Sequence, residues 1–229
     1  MDPAKLEEKL GIAFRDGNLL AEALTHRSYL NELPSRDMPH NERLEYLGDA
    51  VLELIVSEEL FARFPEFPEG KLTVLRAALV NYQILARVAA DIGLGEFILM
   101  SHGERRDTGR AREVILANTI EAVIGAVYLD RGLDAARAFV RGRVMANLEE
   151  VMKTKSYRDA KSEFQEFAQE KWRVTPTYRT LGEEGPAHRR TFRMGAYLEE
   201  ELVADGEGLS KQEAEVEAAK NALKKYRAR

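Results

Sequence analysis

The sequence contains no cysteine, and this absence excludes disulfide bonds and thiolate metal sites. It also lacks an uninterrupted apolar run approaching the ~20 residues that a membrane-spanning helix needs. The first residues do not show the basic and then apolar segments that are typical of a secretory signal peptide. We therefore expect a cytoplasmic protein that does not enter a membrane.

An excess of positive charge is missing as well. The chain has 34 Lys and Arg against 39 Asp and Glu, so the net charge of −5 does not by itself indicate a nucleic-acid partner. The charge is unevenly distributed, with 19 basic against 25 acidic residues over 1–153 and 15 against 14 over 154–229. This difference indicates two domains with different roles, and 229 residues are enough for two.

The apolar spacing predicts helices through most of the first 150 residues, including helices near 71–91, 111–130 and 134–152. After Lys153 the pattern changes. It predicts a helix over 161–172, followed by strands over 176–182, 190–197 and 199–205. A last helix is predicted to begin with a capping box formed by Ser210 and Glu213. The predicted fold is an all-α domain over 1–152, a linker over 153–157, and an α+β domain of order α-β-β-β-α over 158–229.

Acidic residues interrupt an otherwise apolar helical segment over 40–52, for which Asn41 is a candidate N-cap. On a helix that turns about 100° per residue, Glu42, Glu45 and Asp49 fall within roughly 60° of one another. Apolar neighbours on both sides of Asp49 indicate a buried carboxylate. Such a group is costly unless a cation or hydrogen-bond donors satisfy it, and a metal ion is the sharpest interpretation.

A second apolar segment over 114–127 carries Asn118 and Glu121, which are three residues apart and share a helix face. Gly48 and Gly125 permit their two helices to approach closely. If these helices pack together, the oxygen ligands of both converge, and such a set favours Mg²⁺ or Mn²⁺ over zinc. The alternative interpretation is an ordinary solvated face, or acids that pair with Arg and Lys.

These segments resemble the ribonuclease III family of double-stranded-RNA endonucleases. The segment 40–52 is similar to the family's signature motif, and 23–29, 69–80 and 115–130 resemble the family's other motifs in the same order. Residues 156–229 resemble its C-terminal double-stranded-RNA-binding domain, so the likeness covers nearly the whole chain.

The resemblance implies a site and an activity. It implies Asp49 and Glu121 as catalytic residues, a metal site of Glu45, Asp49, Asn118 and Glu121, supporting acids Glu42 and Glu69, and a dimer contact at Tyr46. It further implies Mg²⁺-dependent hydrolysis of double-stranded RNA, with Mn²⁺ as a substitute and with no organic cofactor. The products would be 5′-phosphate and 3′-hydroxyl ends with short 3′ overhangs, produced by a cytoplasmic homodimer that processes rRNA and mRNA.

The RNA-binding residues that the resemblance implies lie in three segments of the second domain, namely Gln165 and Glu166, then His188, then Ser210 and Lys211. Modules of this kind read the shape of A-form RNA through its minor groove and phosphates. Two further lysines that are usual in the last helix are replaced by Gln212 and Glu215, which predicts modest and salt-dependent RNA affinity.

Asn118 departs from the family, which usually has an aspartate there. An amide keeps a carbonyl oxygen for a metal but removes a negative charge, so weaker Mg²⁺ binding is expected. The alternative function is therefore a catalytically weak or silent double-stranded-RNA-binding protein. A third interpretation, a helical enzyme that acts on small phosphates, leaves residues 156–229 without a role.

Overall fold

The computed structural model describes residues 3–33, 35, 38–154, 160–184 and 190–227. The chain divides into two compact units, Met1–Tyr157 and Arg158–Arg229. Within the predicted linker, residues 155–157 lie outside the described residues. In the part of the chain that is described, no helix is both long and apolar enough to cross a membrane.

The first unit is helical, as the apolar spacing predicts. Its α-helices in chain order are α1 (Pro3–Leu10), α2 (Gly17–Ala23), α3 (Glu42–Arg63), α4 (Glu69–Leu79), α5 (Tyr82–Ile92), α6 (His102–Arg106), α7 (Arg110–Arg131), α8 (Leu133–Arg143) and α9 (Leu148–Thr154). Helix α7 is the central element, since every side chain from Ala122 to Val127 is buried. Helices α3, α5 and α8 pack around it.

Two of the predicted helices are interrupted. The helix predicted over 71–91 is two helices, α4 and α5, because the Asn81 side chain accepts a hydrogen bond from the Ile84 N–H and caps a new helix start. The helix predicted over 134–152 is broken by a 3₁₀ turn at Met145–Asn147. In both places the apolar spacing continues across a local break that periodicity alone does not reveal.

The segment Leu24–His26 holds the start of α3 in place. It exchanges backbone hydrogen bonds with Leu99, and the carbonyl of Thr25 accepts the N–H of Asn41. Asn41 precedes α3, as predicted for an N-cap, but its buried side chain makes no capping hydrogen bond. The first turn of the site helix is therefore fixed by backbone contacts to neighbouring segments.

The second unit has the predicted order α-β-β-β-α. Its elements are α10 (Ala160–Trp172), β1 (Thr177–Glu184), β2 (Thr191–Leu198), β3 (Glu201–Gly208) and α11 (Lys211–Arg227). The strands form an antiparallel sheet in the order β1-β2-β3, in which Glu183 pairs with Phe192 and Phe192 with Gly208. Helices α10 and α11 cover one face, where Phe164 meets the buried alanines of α11.

Strand β3 is longer than predicted at its C-terminal end. The predicted strand ends at residue 205, whereas the observed strand continues through Gly206 and Gly208. A Cβ atom on Gly206 would lie 2.6 Å from the backbone carbon of Glu217 in α11, and one on Gly208 would lie 2.6 Å from the backbone nitrogen of Ala214. These glycines therefore serve close packing of the helix on the sheet.

Candidate functional site

Helices α3 and α7 cross at two glycines, as the sequence predicts. A Cβ atom on Gly48 would overlap the carbonyl oxygen of Glu121, and one on Gly125 would overlap the carbonyl oxygen of Leu44. Only glycine allows the two backbones to approach this closely. The crossing brings the acids of α3 next to Asn118 and Glu121 of α7.

The Asn118 amide of α7 lies beside the Glu45 carboxyl of α3, close enough to act on its pKa as a hydrogen-bond donor. The pKa of Glu45 is raised by burial and by the neighbouring charges of Glu42 and Asp49, while the Asn118 hydrogen bond opposes this rise. Because a bond that lowers a carboxyl pKa stabilises the charged form, the Asn118 amide is the donor. Asn118 thus favours the charged form of Glu45 within the acidic group.

Glu121 has the most strongly perturbed carboxyl. Its side chain is partly buried, and burial raises its pKa to about 8, with further contributions from the charges of Asp49, Glu45 and Glu53. In the absence of a cation, Glu121 therefore holds a proton at neutral pH. The carboxylates in this group repel one another, and a bound divalent cation would relieve that repulsion.

The expected burial of Asp49 is wrong for the single chain, because Asp49 is exposed. Its apolar neighbours Tyr46 and Ala50 are exposed too, and the buried residues Gly48 and Val51 lie on the other side of α3. Sequence reasoning also missed Glu53, which contributes to the raised pKa of Glu121. Its signal was present, since Glu45, Asp49 and Glu53 are spaced four residues apart on one helix face.

The two supporting acids lie in different surroundings. Glu42 begins α3 and forms an exposed ion pair with Arg27 at 3.4 Å, and its carboxylate lies 3.9 Å from Nδ1 of the His40 ring. Glu69 begins α4, where it accepts a hydrogen bond from the Thr73 hydroxyl. Of these two acids, Glu42 acts on the charge of the Glu45 carboxyl, whereas Glu69 lines a separate cavity.

That cavity lies between α3 and α4 and has a volume of about 520 Å³. Its lining is apolar at Leu60, Phe61, Phe67 and Leu72 and polar at Ser57, Glu58, Glu69, Thr73 and Arg76. Tyr46, at the other end of α3, is 82% exposed. Tyr46, Ala50, Leu54 and Phe61 form an exposed stripe along α3, which we call the α3 stripe.

The fit of a metal to the acidic group rests on its donor atoms. Among the described residues, no three acidic, histidine or cysteine side chains form a ready-made metal cluster. The group nevertheless offers only oxygen donors, from Glu45, Asp49, Glu121 and the Asn118 amide, and hard cations such as Mg²⁺ prefer these. The raised pKa of Glu121 arises in part from repulsion by neighbouring carboxylates, which such a cation would reduce. The donor set therefore fits a divalent cation.

The second unit exposes most of the residues assigned to RNA contact. Gln165 and Glu166 are exposed on α10, and His188 lies outside the described residues. Ser210 precedes α11, and its hydroxyl accepts the N–H of Glu213. The Glu213 carboxylate accepts the N–H of Leu209, one residue before the N-cap, so the Ser210 half of the predicted capping box forms while the reciprocal bond goes to the preceding residue.

Comparison with known proteins agrees with this organisation. A family model described as ribonuclease-III-like matches residues 16–148, and one described as a double-stranded RNA binding motif matches residues 160–226. Ribonuclease 3 of a Nitratiruptor species is 42% identical over 98% of this chain and 97% of its own length. Ribonuclease 3 of Enterococcus faecalis is 45% identical over 96% of this chain and 95% of its own length.

Solved structures show the same likeness for the helical unit. A ribonuclease III nuclease domain from Campylobacter jejuni, described as flexible in a region involved in dimer formation, is 43% identical with a TM-score of 0.58. It covers 64% of this chain and 98% of its own. The family models and the near full-length relatives together show that the chain belongs to the ribonuclease III family of double-stranded-RNA endonucleases.

Proposed function

We propose that this protein cleaves double-stranded RNA at a Mg²⁺ centre formed by Glu45, Asp49, Asn118 and Glu121. The single observation that carries this proposal is the α3–α7 crossing, which puts Glu121, with a pKa of about 8, among the charges of Asp49, Glu45 and Glu53. Mn²⁺, which also accepts oxygen ligands, is a suitable substitute. The expected products have 5′-phosphate and 3′-hydroxyl ends with short 3′ overhangs, and rRNA and mRNA processing in the cytoplasm is the proposed role.

Each side chain has a distinct task in this proposal. Asp49, with its exposed carboxylate, and Glu45 would hold the cation, and the Asn118 amide favours the charged form of Glu45 that this role requires. Glu121 would add its partly buried carboxylate to the donor set in its ionised form. A bound divalent cation supplies activation of water and stabilisation of the charge that develops on the phosphate.

We further propose a homodimer that forms through the α3 stripe. Tyr46 and Phe61 are 82% and 73% exposed and lie 15 positions apart, which corresponds to about 22 Å of helix. In a two-fold pairing of antiparallel α3 helices, Leu54 would lie near the axis, and each Tyr46 would meet the Phe61 end of the other copy. The cavity lined by Phe61 and Phe67 lies at that end, and it is the proposed receptor for Tyr46.

The second unit is proposed to bind the RNA duplex through Gln165, Glu166, His188, Ser210 and Lys211. Gln165 and Glu166 have the exposure that contacts to 2′-hydroxyl groups in the minor groove require. At the start of α11, the helix dipole and the Lys211 ammonium favour phosphate. The match of residues 160–226 to the double-stranded RNA binding motif supports this assignment.

One assay tests the proposed function. The protein is incubated with a long RNA duplex and Mg²⁺, alongside single-stranded RNA and duplex DNA. Short duplex products from the first substrate alone support the proposal, and end-labelling of these products checks the expected 5′-phosphate and 3′ overhang. Protection of the duplex without cleavage would instead support the silent RNA-binding protein that Asn118 suggests.

A further inference from the structure

An acidic residue lies among the cations of the RNA-binding unit. The carboxylate of Glu183, the second-last residue of β1, is 3.2 Å from the Arg190 guanidinium and 3.4 Å from the Lys211 ammonium. The side chains of these two cations are 47% and 55% exposed. One carboxylate thus forms ion pairs with two solvent-accessible cations.

The sheet register explains this arrangement. Glu183 pairs with Phe192, and Phe192 pairs with Gly208, so these three residues form one row across the sheet. Gly208 ends β3 three positions before Lys211, which begins α11. The Lys211 ammonium also lies 5.8 Å from the centre of the Phe192 ring. The fold therefore brings Lys211 back beside Glu183, although the two are 28 positions apart in the chain.

We infer that Glu183 weakens RNA binding by competing with RNA phosphates for Lys211 and Arg190. This inference rests on the proposed contact of Lys211 with RNA. Phosphate binding by a cation already paired with a carboxylate requires that the ion pair be broken or shared. The carboxylate also repels a phosphate that lies within the screening distance of about 8 Å at physiological salt. Glu183 thus sets both the strength and the salt dependence of duplex binding.

Other lysines near α11 are also paired with acids, which agrees with weakened RNA binding by this unit. In α11, Glu215 pairs with Lys161 of α10 at 2.6 Å, and Glu217 pairs with Lys220 at 3.2 Å. Among the described residues, however, Glu183 is the acid that pairs with Lys211, the lysine assigned to phosphate. The replacement of usual lysines by Gln212 and Glu215 leaves Lys211 as a main source of positive charge at this helix start. The ion pair with Glu183 therefore neutralises a large share of the positive charge at the start of α11.

The test uses the full-length protein, a duplex RNA and EDTA, so that binding is measured without cleavage. Glu183→Gln removes the carboxylate charge and keeps the side-chain size. Glu200→Gln is the matched control, because Glu200 pairs with Arg179 at 2.7 Å, next to the β2–β3 turn at the opposite end of the sheet. Both variants change the net charge equally, and both release one arginine. The double variant Glu183→Gln with Lys211→Gln asks whether the effect passes through Lys211.

We expect Glu183→Gln to bind the duplex about three- to tenfold more tightly than the wild type, the range expected when exposed ion pairs are released. The slope of log K against log salt is expected to steepen by about one for each additional phosphate that the variant neutralises. In Glu200→Gln the affinity stays within about twofold of the wild type, and Lys211→Gln removes most of the gain from Glu183→Gln. Thermal unfolding midpoints of all variants check that the fold is kept.

Unchanged binding by Glu183→Gln would overturn the inference, because Glu183 would then not compete with phosphate. Weaker binding would also overturn it, because Glu183 would then organise Lys211 for RNA. An equal gain in Glu200→Gln would also overturn it, because net charge alone would explain the result. If wild-type protein and Lys211→Gln both bind the duplex equally well, the proposed role of Lys211 fails and the inference fails with it. If the wild type does not bind the duplex, the proposed RNA-binding function itself is refuted.

Discussion

At the residue scale, the informative feature is that neighbouring carboxyl groups differ in their surroundings. Glu121 is partly buried and protonated near neutral pH, with a pKa of about 8, whereas Asp49 is exposed to solvent. The difference arises because α3 turns Asp49 outward while α7 directs Glu121 toward the helix crossing. A cation at this place must therefore displace a proton, and metal affinity should rise with pH up to about 8.

The titration of Glu121 predicts how stability depends on pH in the absence of metal. This carboxyl has a pKa of about 8 in the folded state against an ordinary value of 4.5, so between these pH values the folded state holds a proton that the unfolded state has released. Its contribution is fully present below pH 4.5 and is lost as pH rises to 8. We expect the wild type in EDTA to unfold at a lower temperature at about pH 8.5 than at about pH 6.

Glu121→Gln should remove most of this pH dependence, because an amide cannot ionise. The measurement is thermal unfolding followed by circular dichroism in EDTA at both pH values. Glu113→Gln is the control, since Glu113 is an exposed acid on the same helix. Equal pH dependence in the wild type and Glu121→Gln would show that another group is responsible.

Asn118→Asp tests the missing charge of the proposed metal site. The substitution replaces the amide that donates to Glu45 with a fourth acid, so the metal-free protein should unfold at a lower temperature. Affinity for Mn²⁺, measured by calorimetry, should rise by about tenfold because a ligand charge is added. Asn118→Ala provides the comparison, as it removes both the hydrogen bond and the ligand oxygen. Unchanged Mn²⁺ affinity in both variants would place Asn118 outside the metal site.

At the scale of secondary structure elements, the crossing of α3 and α7 depends on two glycines. Alanine has a higher helix propensity than glycine, so Gly48→Ala alone would stabilise α3. The added Cβ, however, would overlap the backbone of α7 at Glu121. Because backbone cannot move aside as a flexible side chain does, we expect a loss of about 3 kcal/mol or more in the free energy of unfolding. Chemical denaturation measures this change.

Gly142→Ala is the matched control for Gly48→Ala. Gly142 also lies in a helix, α8, but a Cβ atom there would meet nothing within 4 Å. Its replacement should stabilise the protein by up to about 1 kcal/mol, since alanine has the higher helix propensity. If Gly48→Ala were as well tolerated as Gly142→Ala, the close crossing of α3 and α7 would be refuted.

The elements also show how far sequence patterns reach. The apolar spacing predicts α3, α7, α10 and the three strands, because their apolar residues follow helical or strand periodicity along the chain. It does not predict the break between α4 and α5, where one Asn81 hydrogen bond starts a new helix within a continuous apolar pattern. It also ends the third strand at residue 205, before Gly206, because this glycine's role in sheet–helix packing is a tertiary contact.

At the scale of the whole molecule, the α3 stripe predicts a dimer. Tyr46→Ala should raise the dissociation constant of the dimer by about 30-fold or more, as expected when an aromatic side chain that fills a pocket in the partner is removed from both copies. Analytical ultracentrifugation across a concentration series measures the change. Leu129→Ala is the control, because Leu129 is 53% exposed in the same unit but lies outside the α3 stripe. A similar shift in both variants, or no shift in Tyr46→Ala, would contradict the proposed interface.

The sequence by itself determined the two-unit organisation, the two acid-bearing helices and the glycines that let them cross. These features follow from local periodicity and from residue types whose consequences do not depend on distant parts of the chain. Only the tertiary structure decided that Asp49 is exposed, that Glu53 acts on Glu121, and that Glu183 pairs with Lys211. Burial and charge pairing depend on which surfaces meet in space, and residues far apart in the chain meet only when the fold is complete.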